Sequence, residues 1–319
     1  MEENIIDMEM IQPKVDLIQE NDPYKKIELV GRTCYKSEDK ITQDSSKKFV
    51  QGLIKRNHTA MLEHATVLFQ LDPSYESYVS VLRQCKYLNV TCTEVSRPYG
   101  KKYLRILVSG NIRAINESDV FVLLQTMYEN SVYRDLVYNK QFIDTYANQV
   151  EGQTSFYNAK IVDIRSLNHL SEEEILNHFY MTLRFTCDRG VSHEIVRHRE
   201  MSFGQESTRY VNYRNSDMKF ITPSYFSEIS EEAQIEIIRQ SCSAENSYSR
   251  LIDMGLSPQQ ARCVLPTDVK TEICVTGNYR KWNHFFDLRY FAKTGSPHPD
   301  MKKVAAIAYQ IYKFQRKFI

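Results

Sequence analysis

Glycine is scarce in this 319-residue chain, 10 residues in all, which leaves little room for flexible linkers between separately folding parts. No apolar run reaches the roughly 20 residues that a membrane-spanning helix needs. A surplus of either charge is missing too: 41 basic residues face 40 acidic ones, for a formal net charge of +1. That balance argues against duplex DNA or an anionic membrane as a bulk partner, so any anion site has to be a local cluster. The opening MEENIIDMEM lacks the basic, apolar and small-residue regions of a secretory signal, and a cytoplasmic protein is expected. The seven cysteines form no CxxC pair, and an odd count in a chain of this length does not suggest a disulfide framework. Reduced thiols packed as small buried hydrophobes are expected. Neither a G-x-G-x-x-G turn nor a G-x-x-x-x-G-K-[ST] loop occurs, so a bound nucleotide would be held by side chains. No internal repeat is expected.

What is present reads as a mixture of helices and strands. Asp44, Ser45 and Ser46 open a helix with Phe49, Leu53 and Ile54 at helical spacing, ended by Asn57 and His58. The run TVLFQL at 66–71 reads as a strand, and 103–109 as a second one turning at Gly110-Asn111 and continuing through 112–115. Ser118 starts a helix to Asn130, 131–160 is polar and without period, and Ser171 with Glu174 makes a capping box for a helix through Tyr180. Met181 to Cys187 alternates as a third strand, Asp188-Arg189-Gly190 turns it, and 191–199 is helical. Helices follow at 230–254, from Ser257-Pro258, at 278–293 and at 300–319. The class is α+β, an antiparallel sheet flanked by long helices.

The chemistry concentrates in RHREMSFGQESTRY at 197–210. Arg197, His198 and Arg199 place three cations within one turn, which repel one another unless an anionic phosphate or carboxylate sits among them; a solvated basic face is the plainer alternative. The nearby His193-Glu194 and His198 almost spell HExxH, but histidines five apart on a helix point about 140° apart, so no metal is expected. Tyr210, Tyr213 and Arg214 could form a stacking patch for single-stranded RNA, a reading that the balanced charge disfavours.

The pattern Arg197-His198-Arg199, seven residues, Ser207, then Arg209 and Tyr210 resembles the signature of the flavin-dependent thymidylate synthases, the ThyX family. RFTCDRGVSHEIV at 184–196, GRTCYKSEDK at 31–40, NHTAMLEH at 57–64 and the block at 261–289 are similar to further family segments. The resemblance implies a single ThyX-like domain over 1–319 with a large insertion at about 72–180. It implies methylation of dUMP to dTMP with methylenetetrahydrofolate as carbon donor and FAD as hydride carrier, re-reduced by NADPH. By similarity Arg197, His198, Arg199, Gln205, Asn278, Arg280 and His284 hold the flavin. Glu194, Arg197, Gln205, Glu206, Ser207, Thr208, Arg209, Arg262 and Arg289 hold the nucleotide, and Arg289 is the catalytic residue that favours ionisation of the uracil ring. His58 falls on the folate side, and Ala60 stands where many relatives place a Ser or Thr. A homotetramer with shared sites is implied. A homologue that binds flavin and nucleotide without turnover is the alternative.

Overall fold

The structure, a computed structural model, describes residues 9–96, 98–147, 159–214 and 218–319. Two four-stranded antiparallel sheets carry it. The first runs in the order β4-β5-β3-β6, with β3 Thr66–Leu71, β4 Asn89–Ser96, β5 Lys102–Asn111 and β6 Ala159–Ile161. The second runs β2-β7-β10-β8, with β2 Lys14–Leu17, β7 Tyr180–Asp188, β8 Ser202–Gln205 and β10 Lys270–Asn278. A short parallel pair joins β1 Glu9–Ile11 to β9 Lys219–Ile221.

The first half carries α1 Pro23–Tyr35, which packs on β8 and β10 of the second sheet, then α2 Ser45–Lys55, α3 Val79–Leu82, α4 Ile112–Glu117, α5 Phe121–Glu129 and the single turn α6 Lys140–Phe142. The second half carries α7 Glu172–His178, which packs on β4 and β5 of the first sheet, then α8 Arg189–Ile195, α9 Glu231–Asp253, α10 Pro258–Ala261, α11 Tyr279–Arg289 and α12 Pro299–Arg316. Each sheet has its own apolar core: Phe69, Ile106, Val108 and Leu123 belong to one, Phe185, Trp282, Phe285 and Phe286 to the other. Trp282 is fully buried yet satisfied, its Nε1 donating to the Met181 carbonyl at 3.1 Å.

The α+β expectation holds, and several local readings need correction. Gly110 and Asn111 lie inside β5 rather than in a turn; Asn111 Oδ1 accepts from the Ala114 amide at 2.7 Å and starts α4, so 112–115 is helix. The helix expected from Ser118 begins at Phe121. The capping box of Ser171 and Glu174 is present, but its helix stops at His178 and Tyr180 opens β7. Asp188 caps α8, which ends at Ile195, short of the expected Arg199. Of the aperiodic stretch 131–160, residues 148–158 lie outside the described ones, and the rest holds short helical turns and the start of β6. None of the seven cysteines is in a disulfide; Cys34, Cys187 and Cys274 are buried as expected, whereas Cys85, Cys92 and Cys242 are half-buried and Cys263 is exposed.

Candidate functional site

Two strand ends deliver the main cluster. Asp188 at the end of β7 accepts from the Val191 amide at 2.7 Å and opens α8, which carries Glu194. Residues 196–201 then leave helical geometry, and β8 begins at Ser202. Asn278 at the end of β10 caps α11 through the Lys281 amide at 3.0 Å, and α11 carries Arg280, His284 and Arg289 on successive turns. The two segments enclose a cavity of about 500 Å³ lined by Arg197, His198, Arg199, Arg280, His284 and Arg289. Six of the residues singled out in the sequence therefore meet in one place.

Arg289 is the fixed point of this cluster. Its Nη1 donates to Glu194 Oε2 at 2.6 Å, Nη2 to the Glu194 carbonyl at 3.2 Å, and Nε to His198 Nε2 at 3.1 Å. An imidazole nitrogen that accepts from a guanidinium carries no proton, so His198 is neutral with its proton on Nδ1. Burial against Phe285, followed by the charge of Arg289 and the neighbouring His284, pushes its pKa down to about 4. The expectation of three adjacent cations is corrected to two. Among the described residues no carboxylate pairs with Arg197, Arg199 or Arg280, whose Nε donates to the Asn177 amide oxygen, whereas Arg289 is paired with Glu194; the cavity therefore keeps three unneutralised guanidiniums, a donor set that suits a diphosphate.

The remaining predicted residues lie elsewhere. Gln205 donates from Nε2 to Ser192 Oγ at 2.8 Å. Glu206 is 1% exposed, with Oε1 accepting from the Tyr213 hydroxyl at 2.9 Å and Oε2 from Lys270 Nζ at 3.0 Å. Ser207 Oγ accepts from the Arg209 amide at 3.3 Å, Arg209 Nε donates to Gln259 at 3.0 Å, and Arg262 Nη1 donates to Thr208 Oγ1 at 3.4 Å. His58 and Ala60 line a further cavity of about 510 Å³ with Cys34, Tyr35 and Arg113. Tyr35 in turn packs on Tyr210, ring centroids 5.5 Å apart, so this cavity borders the loop after Ser207. Asn278, almost fully buried, also donates to the Asn177 carbonyl at 3.0 Å and to Asn89 at 3.2 Å. The stacking patch is corrected: Tyr213 is buried and bonded to Glu206, so it offers no face to a base. Lys281 lines the main cavity and was missed; its Nζ donates to the Glu200 carbonyl at 2.6 Å, and its place directly after Arg280 was the available signal.

The family described as thymidylate synthase complementing protein matches residues 16–131 and, separately, 117–314. The flavin-dependent thymidylate synthase of Geobacter sulfurreducens is 38% identical over 128 residues, 40% of this chain and 53% of that protein. The one from Pyrococcus furiosus is 35% identical over 122 residues, 37% of this chain and 49% of that protein. The chain thus spans about half the length of these relatives. Among solved structures, the UMP/dUMP methylase PolB from Streptomyces cacaoi bound with 5-Br dUMP superposes with a TM-score of 0.40 at 14% identity, covering 96% of this chain and 92% of that one. Thymidylate Synthase X from Helicobacter pylori with FAD and dUMP gives 0.34 at 19% identity over 43% and 69% of the two chains.

Proposed function

Since the chain belongs to the thymidylate synthase complementing protein family, the flavin-dependent ThyX synthases, we propose that it methylates dUMP to dTMP, with methylenetetrahydrofolate as carbon donor, FAD as cofactor and NADPH as reductant. The observation that carries this reading is the convergence of Arg197, Arg199 and Arg289 on one cavity beside a neutral His198. Arg197, Arg199 and Arg280 would hold the flavin diphosphate, with the neutral His198 beside them and His284 lining the same wall. When bound, the flavin supplies the hydride.

The chain's own part is orientation and field. Uracil is a weak carbon nucleophile, and a permanent cation beside the ring stabilises the charge that develops as it attacks. Arg289 is held for that task by Glu194 and His198, and because His198 stays neutral it orients the guanidinium without opposing its charge. No thiolate is at hand: no cysteine lines this cavity, and burial pushes the Cys34 thiol up to about 12. Ser207, Arg209 and Arg262 form a second polar group for the nucleotide phosphate. The enzyme would work in the cytoplasm as a homotetramer; among the described residues no helix is long and apolar enough to cross a membrane. The test is the visible spectrum of purified protein, then turnover of dUMP with each co-substrate omitted in turn. A yellow protein that needs both methylenetetrahydrofolate and a reductant is expected, and a colourless one that ignores added FAD defeats the reading.

A further inference from the structure

The two sheets are the same sheet. In the first, β3 pairs with β5 so that Thr66 faces Asn111 and Leu71 faces Ile106; in the second, Tyr180 faces Asn278 and Phe185 faces Ile273. Adding 114 to every β3 residue and 167 to every β5 residue converts one ladder into the other. The flanking strands obey the same rule. Asn89 faces Ser109 as Ser202 faces Thr276, and Phe69 faces Ile161 as Leu183 faces Leu17. Details outside the ladders agree. The Ile112 amide donates to the Ala65 carbonyl at 3.0 Å, and the Tyr279 amide to the Phe179 carbonyl at 3.0 Å. Asn111 caps α4 as Asn278 caps α11, within the matching strings Ser109-Gly-Asn-Ile-Arg-Ala-Ile-Asn116 and Thr276-Gly-Asn-Tyr-Arg-Lys-Trp-Asn283. Arg113 binds Glu63 at 3.0 Å, and Arg280 binds the equivalent Asn177 at 2.9 Å.

The contacts between the halves are reciprocal. His64 Nδ1 lies 2.8 Å from Thr276 Oγ1, and His178 Nδ1 lies 2.8 Å from Ser109 Oγ. Residue i touching j′ while j touches i′ is the mark of a two-fold interface between identical subunits, here within one chain. The edge strands are exchanged as well: β2, at the head of the first half, pairs with β7 of the second, and β6, at the head of the second, pairs with β3 of the first. The family is matched twice, over 16–131 and again over 117–314, one match for each half.

The copies differ in their chemistry. The stretch between β7 and β8 holds Glu194 and Arg197-His198-Arg199; the stretch between β3 and β4 puts Arg83-Gln84-Cys85 there when counted from β3 and Gln84-Cys85-Lys86 when counted back from β4, a single cation in either case. β8 and β10 are separated by 206–269, with Ser207, Arg209 and Arg262, whereas 97–101 alone connect β4 to β5. The first half still touches the site's surroundings. A cavity of about 290 Å³ lies between the halves, with Glu63, Arg113 and Glu117 on one wall and Arg199, Ser202 and Lys281 on the other.

We propose that residues 14–117 and 159–289 are two copies of one folding unit interlocked by exchange of their first strands, and that the N-terminal copy binds no ligand of its own but is the built-in partner subunit of the C-terminal one. This replaces the expectation of a single domain interrupted by an insertion, and the part about ligands rests on the function proposed above.

Calorimetry of the full chain tests the interlock, since halves that each lack their own edge strand cannot unfold one at a time. A single transition is expected. Val108→Ala and Val275→Ala, the same substitution at equivalent fully buried positions, should each lower that one transition by several degrees. Two transitions, each moved only by the substitution in its own half, overturn the proposal. FAD titration followed by flavin fluorescence should saturate at one per chain; two per chain overturns the assignment of an empty N-terminal copy. A protein that takes up no flavin refutes the function proposed above, and the calorimetric result then still decides the interlock.

Discussion

Arg289 and His198 share a hydrogen bond of 3.1 Å, Nε to Nε2, in which the imidazole can only be the acceptor. Protonating His198 therefore destroys that bond and sets two cations against each other. His198 and His178 are both pushed down to about 4 and His64 to about 3, burial being the first cause in each. In the unfolded chain these groups take up protons near the ordinary value of about 6.5. Lower pKa values in the folded state mean that their contribution is complete above about 6.5 and is lost as pH falls toward the folded values. Denaturant titrations at pH 7.5, 5.5 and 4.5 should show stability declining across that series. His198→Gln should make the decline shallower. An unchanged slope would mean that His198 is not kept neutral.

Arg289→Lys keeps a charge but gives up the fork that reaches Glu194 and His198 together. Nucleotide affinity should weaken modestly, while kcat drops by about two to three powers of ten, the scale of losing one oriented electrostatic donor. Steady-state kinetics separate the two effects. Wild-type turnover in this variant would remove Arg289 from the catalytic role.

Glu206 was expected at the nucleotide, yet both of its oxygens are engaged by Tyr213 and Lys270. Glu206→Gln should act first on stability, by about 3 kcal/mol, the low end for breaking a buried pair, because Lys270 keeps Glu272 at 3.1 Å. Denaturation and nucleotide titration of the same variant check this. A stable variant with lost nucleotide binding would return Glu206 to the substrate.

Arg105 on β5 and Glu174 on α7 form a doubly bonded pair at 2.7 and 2.6 Å, both side chains essentially without solvent contact. Arg105 also donates to the carbonyls of Asn168 and His169. Arg105→Met strands the carboxylate and should cost about 3–5 kcal/mol. The cavity around Arg289 contains neither residue, so flavin affinity measured below the melting transition should not change.

Elements announced by short-range chemistry were legible from the sequence. The Ser171–Glu174 capping box, the TVLFQL strand and the cation-rich turn all depend on neighbours within a few residues. β10 was not legible. It is buried on both faces, so nothing alternates, and its Lys270, Glu272 and Thr276 look like surface residues until Glu206, Lys36 and His64 arrive from elsewhere. α4 was read as strand because Ile112 and Ile115 have strand propensity, while the Asn111 cap that overrides them looked like a turn. The repeat escaped because its spacing changes from 144 to 114 to 113 to 167 along the chain and its shared residues are few: a Leu-x-His before β3 and β7, and Gly-Asn-x-Arg-x-x-Asn running out of the ends of β5 and β10. The site was legible as a list of residues but not as a place, since Ser207, Arg209 and His58 lie outside the cavity of Arg289.

The strand exchange also fixes an order of events during synthesis. β3 is made about 90 residues before β6, the strand that covers its outer edge, and β2 is made still further ahead of β7. While the ribosome reads the middle of the message, the nascent N-terminal sheet stands with that edge bare, a template for any passing strand. Translation speed through the second half, and any chaperone that shields such edges, therefore set how many chains close on themselves and how many close on a neighbour emerging from the same polysome.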